Sequence, residues 1–163
     1  MNVTIEAMVQ RWSGMERPLF RGKLIDTDGC KCAQGDVLSC AGFTDDELRE
    51  MTEYNADKEV ARILGISRTH AVLLRKVNDK VGGSPQIVLS NPEQIIGDKS
   101  QLLLAFWLYL DQMTPAAWEA AQDAAWASSE IQGMDILEAN GKSPYSLTFF
   151  GLNTWDDVRA LIK

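Results

Sequence analysis

The sequence predicts a mainly α-helical protein: one compact helical domain over residues 1–163, with a minor β element. Three observations carry that prediction. Apolar residues recur at helical spacing in successive segments, as at Ile5, Met8, Val9 and Trp12. Helix-starting residues stand where those segments begin, most clearly the capping box Thr44-Asp45-Asp46-Glu47. A long stretch, 114–133, is rich in alanine, the residue with the highest helix propensity. At 163 residues the chain lies within the usual size of one domain, with room for a core.

The elements follow in order. The first helix starts after Thr4 and is broken by Pro18. Residues 19–25 are mixed in character and read as a short strand, ending in a Thr27-Asp28-Gly29 turn. The segment CKCAQGDVLSCAG enters a short helix near Ala33 and leaves it by Gly42. A helix from about 44 to 53 follows the capping box. Asn55 or Asp57 caps the next, whose apolar side is Val60, Ile63 and Leu64, and Gly65 ends it. Ser67 caps a helix that carries Ala71, Leu74 and Val77 inward. After the loop 81–85, residues 86–89 read as a second short strand. Asn91-Pro92-Glu93 opens another helix, since proline fits a first turn. Asp98 or Ser100 begins an almost wholly apolar helix through Met113, which its composition places centrally. The alanine-rich helix comes next, from Thr114 to Gly133. A short helix to about Ala139 and an Asn140-Gly141 turn lead to a third strand, 145–150. Thr154 caps a last helix with Trp155, Val158, Leu161 and Ile162.

The net charge of −7 is uneven. Residues 56–80 carry six basic and three acidic side chains, and the rest of the chain is acidic. That balance argues against nucleic acid as the partner. The longest apolar run, LLLAFWLYL at 102–110, is too short to span a bilayer, and the first residues lack the pattern of a secretory signal. A cytoplasmic protein with no membrane association is the expectation. The odd count of cysteines, Cys30, Cys32 and Cys40, makes disulfides a poor reading. Their spacing also falls short of a zinc site, because Cys30 and Cys32 are too close and His70 is the only histidine. Buried structural cysteines are expected, with no metal and no cofactor. The sequence shows none of the H-E-x-x-H, phosphate-loop, G-x-S-x-G or calcium-loop patterns, so no catalytic residue is assigned.

Two stretches are candidate binding surfaces. In the alanine-rich helix, Trp118 and Trp126 are eight residues apart, about 80° around a helix, and so share a side. With Glu119 and Asp123 beside them they form a candidate partner-binding surface, for another protein or for self-association. The plain alternative is a packing helix. Residues 57–76 resemble a helix-turn-helix, in which Arg68, Thr69, His70 and Arg75 would read DNA. The same helix–Gly–Ser–helix pattern also makes an ordinary αα-hairpin.

The segment Gly29-Cys30-Lys31-Cys32-Ala33-Gln34-Gly35-Asp36-Val37-Leu38, with the later Asn78-Asp79 pair, is similar to small bacteriophage and prophage proteins of uncharacterised activity. These share a Cys-Ala-x-Gly-x-Leu segment and an Asn-Asp pair. The resemblance covers about residues 20–100, and this chain departs from it at Lys31 and in its long C-terminal half. It implies a viral origin and a host-cell cytoplasmic setting rather than an activity. Together these readings predict a phage-encoded accessory protein that binds another macromolecule, as a host-takeover or counter-defence factor. The alternatives are a helix-turn-helix DNA-binding regulator and a virion structural component. On the glycine, physics makes a specific demand: Gly35 permits close packing beside the cysteine helix.

Overall fold

A computed structural model describes residues 2–81, 83–112, 114–116, 119 and 155–162. These residues are mainly helical. Helix α1 spans Ile5–Ser13, and the Thr4 hydroxyl accepts from the Ala7 N–H at 3.1 Å. It buries Met8 and Trp12. Helix α2, Ala33–Cys40, is capped by Cys32, whose Sγ accepts from the Gly35 N–H at 3.4 Å. Helix α3, Asp45–Glu50, carries the expected capping box in full.

Helix α4, Glu53–Leu64, starts earlier than expected. Its cap is Thr52, which accepts from the Asn55 N–H at 3.2 Å. Asn55 is therefore the capped residue, and Asp57 lies inside the helix. Gly65 ends α4 in the left-handed region (φ 68°, ψ 33°), where a side chain would be strained. Ser67 caps α5, Arg68–Asp79, through the His70 N–H.

Helix α5 is the centre of the fold. Ala71, Val72, Leu73, Leu74 and Val77 are fully buried, and α2, α4, α6 and α8 pack around it. Helix α6 spans Pro85–Ser90, where a strand was expected at 86–89. Pro85 takes a first-turn position and presets φ for a helix, and Val88 and Leu89 then turn inward together. The residues are apolar enough for a strand, but α6 packs on α1 and α5 and has no ladder partner there. Helices α7, Glu93–Ile96, and α8, Ser100–Asp111, follow. Leu103, Phe106, Trp107 and Leu110 of α8 are buried, while Leu108 is 47% exposed. Helix α9, Trp155–Leu161, rests on α8 through a buried Val158.

The strand expected at 19–25 is not formed: the backbone bends at 22–24, with Gly22 at φ 93°, and makes one isolated antiparallel bridge, Ile25 to Lys31. A short ladder of main-chain bonds closes this loop: Phe20 N–H to Lys31 O, Cys32 N–H to Leu24 O, and Asp26 N–H to Cys30 O. The Asp26 carboxylate accepts from the N–H groups of Asp28 and Cys30, which makes the expected turn around Gly29. The third expected strand, 145–150, lies outside the described residues. So do the expected helix to Ala139, the Asn140-Gly141 turn and the Thr154 cap. No helix among the described residues is long and apolar enough to cross a membrane.

Candidate functional site

The two short motifs of the sequence, distant along the chain, meet in space. Asn78 Oδ1 accepts from the Ala33 N–H at 3.2 Å, at the start of α2, and Asn78 Nδ2 donates to Phe20 O at 2.9 Å. Asp79 Oδ1 accepts from the Gly22 N–H at 2.9 Å. The Asn-Asp pair at the end of α5 thus clamps both the 20–31 loop and the α2 cap. Gly35 supplies the other half of the clamp. A Cβ there would lie 2.0 Å from Leu24 O and 2.9 Å from Leu24 C, so only glycine lets α2 meet the loop backbone.

Beneath the clamp lies a charged network inside the protein. Arg75 on α5 donates through Nε and Nη2 to the two oxygens of Asp57 on α4, each at 3.1 Å. Their side chains are 8% and 2% exposed. Gln34 Nε2 also donates to Asp57, at 2.8 Å, and to Ala71 O. Burial works against the Arg75 charge, but hydrogen bonds and attraction from Asp57, with Glu53 behind, hold its pKa above the ordinary value. A second buried carboxylate, Asp36, accepts from Arg11 Nε at 2.7 Å, Arg11 Nη2 at 2.9 Å and Trp12 Nε1 at 2.8 Å, tying α1 to α2. These carboxylates are spent on joining helices.

Above the Arg75 network the surface opens into a cleft of about 550 Å³. Phe20, Leu24, Ile25, Leu48 and Met51 give it an apolar lining, and Cys32 and Arg75 lie at its base. Lys23, Asp26, Arg49, Glu53 and Asp79 give it charge. Lys31 bridges to Asp45 at 3.1 Å and so ties the loop to α3.

The cysteines behave differently from one another. Cys32 is buried as expected, whereas Cys30 is exposed and Cys40 half-buried, against the expectation of buried cysteines throughout. Burial pushes the Cys32 thiol up to about 11, against the lowering effect of the Gly35 and Gln34 backbone. Cys40 is raised as well, first by burial and then by Asp36. Iodoacetamide at pH 8 is therefore expected to alkylate Cys30 in the native protein and to leave Cys32 unmodified until denaturant is added. Peptide mapping by mass spectrometry checks this, and equal labelling of both would contradict the burial of Cys32. No group of three or more His, Cys, Asp or Glu among the described residues is placed to hold a metal ion.

Three of the four helix-turn-helix residues are placed inward. Thr69, His70 and Arg75 are buried. His70 Nε2 donates to Val88 O at 2.9 Å, and burial lowers its pKa, opposed by that bond. Arg68 bonds Asp111 through its backbone N–H and its Nε, and its Nη1 donates to Tyr54 Oη. A recognition helix must project its side chains from the surface into a groove, whereas α5 is the core of the fold. The expectation that Thr69, His70 and Arg75 read DNA is corrected accordingly: they are packed inside, and α4 and α5 form a packed hairpin. Of the expected partner-binding residues, Glu119 is helical and exposed. Trp118, Asp123 and Trp126 lie outside the described residues.

Asp57, Gln34 and Glu53 were missed as site residues in the sequence reading. Asp57 carried a signal: with Val60, Ala61 and Leu64 it falls at i, i+3, i+4 and i+7, a charge on the apolar side of α4 that needs a buried partner. No protein-family model, curated protein or solved structure gives a match to this chain.

Proposed function

We propose that the protein acts by binding a protein partner through the cleft above Arg75, as an accessory factor of the phage type its motifs suggest, active in host takeover or counter-defence. One observation carries the reading. The Cys32–Leu38 segment, the Asn78-Asp79 pair and the 20–31 loop converge around a cleft with an apolar lining and charged surroundings. An apolar centre within a polar rim is the pattern by which proteins recognise one another's segments. The buried carboxylates nearby already hold helices together, which supports recognition rather than chemistry at this place.

Met51 is half-buried in the cleft and is the residue to change. The variant Met51→Asp is expected to keep its helical spectrum and to lose, by tenfold or more, the partner that wild-type protein captures from bacterial host lysate. Capture that survives the substitution in a folded variant would remove the cleft from the binding surface.

A second reading rests on α8. Gln101, Ala105 and Leu108 are exposed at i, i+4 and i+7, so the outer side of this apolar helix meets solvent just before the alanine-rich stretch. Self-association or partner binding there predicts that Leu108→Asp loses association while Met51→Asp retains it.

A further inference from the structure

Arg75 has hydrogen-bonding capacity that the fold does not use. A guanidinium carries five N–H donors in a planar fork. Nε and one N–H of Nη2 are spent on Asp57, and Nη1 reaches only Glu53, at 3.4 Å. Two N–H groups of a side chain that lines the cleft base therefore have no acceptor among the described residues. Donors left unmet in a nearly buried group are costly.

Glu53 is a weak partner for them. Its side chain is 71% exposed, and its one contact to Arg75 is long. The other acids of the cleft, Asp26 and Asp79, each have one oxygen engaged elsewhere. Asp26 Oδ1 holds the turn of its own loop, and Asp79 Oδ1 accepts from Gly22 and Asn78. On the basic side, Lys23 is exposed on the cleft, and no ion pair joins it to an acid among the described residues.

We infer that the cleft seats a carboxylate of an acidic peptide segment on the Arg75 guanidinium, in the position Glu53 now reaches. The inference rests on the protein-binding reading above and names the chemistry recognised. An arginine edge beside apolar side chains suits a planar carboxylate, which it can hold through parallel bonds. Apolar neighbours of that carboxylate would lie against Phe20, Leu24 and Met51, with Lys23 drawing the segment in. A doubly charged phosphate fits less well, since Asp26, Glu53 and Asp79 face the same space.

The test is a titration of the ¹⁵N-labelled full chain, following the Gly22, Leu24 and Cys32 amide signals. The probes are acetyl-Leu-Glu-Leu-amide, acetyl-Leu-Gln-Leu-amide and acetyl-Leu-Ala-Leu with a free C-terminus. The probes with a carboxylate are expected to shift the cleft signals at lower concentration than the glutamine peptide. Response to the first alone assigns a side-chain carboxylate, and response to the third alone assigns a chain end. Glu53→Gln is expected to tighten carboxylate binding roughly 2–5-fold, the worth of one exposed ion pair, and to leave the glutamine peptide unchanged. Equal binding of the glutamate and glutamine peptides, or no gain in Glu53→Gln, overturns the carboxylate seat while the cleft stays a peptide site. Silence from all three probes also overturns it. The broader reading then stands or falls on lysate capture by Met51→Asp, a separate measurement.

Discussion

Gly35→Ala is expected to destabilise the protein by at least about 3 kcal/mol, in the range of severe overpacking. The added methyl group meets Leu24 O at 2.0 Å, and the obstacle is main chain rather than the tip of a flexible side chain. Leu24 cannot simply retreat. Its carbonyl accepts from the Cys32 N–H, the residue that caps α2, so a shift of the loop also loosens the helix start. Chemical denaturation followed by circular dichroism measures the effect. Gly14→Ala is the control, since its φ of −94° suits any residue and an added Cβ would meet Gln10 O no closer than 3.6 Å. That change is expected to fall within about 1 kcal/mol of wild type. A Gly35→Ala protein as stable as the control would mean that α2 and the loop do not approach as described.

The second large effect concerns the buried ion pair. Asp57→Ala is expected to cost about 3–5 kcal/mol, because it leaves the Arg75 charge buried without its main acceptor. Gln34 Nε2 loses a partner in the same change. The double variant Asp57→Leu/Arg75→Met is expected to recover most of that loss, since two apolar side chains of similar size bury no charge. Urea unfolding of wild type, both single variants and the double variant gives the coupling directly. A double variant with the summed losses of the two singles would show that the groups do not act as a pair. The recovered double variant should also have no carboxylate seat, which separates the stabilising work of Arg75 from its work in the cleft.

Much of the helix order was legible from local rules. Thr4, Thr44 and Ser67 each cap the helix they were expected to cap, and Gly65 ends α4, because a cap is a contact within a few residues. Errors arose where two local signals competed. Thr52 won over Asn55 and Asp57 at the start of α4, because its hydroxyl reaches the Asn55 N–H. At 85–90 the apolar run suggested a strand, and the proline at its first position decided for a helix. The cleft was less legible. Its motif residues stand out in the sequence, but nothing in their spacing states that Asn78 bonds Ala33 or that Arg75 bonds Asp57, contacts set by the packing of α2, α4 and α5. The charge on the apolar side of α4 was the one sign that a polar centre lay within.

The packing of α1 on α6 has a consequence for the order of events during synthesis. Residues 5–13 emerge well before their main helical partner, 85–90. At about 5–20 residues per second the ribosome leaves α1 waiting for several seconds, with Met8 and Trp12 lacking their final surroundings. Asp36 arrives sooner. Its carboxylate can take up Arg11 and Trp12 as soon as α2 forms, giving the early helix a polar anchor before its apolar seat exists. The Asp36 contact thus makes the first helix a guest of the second until the sixth is complete.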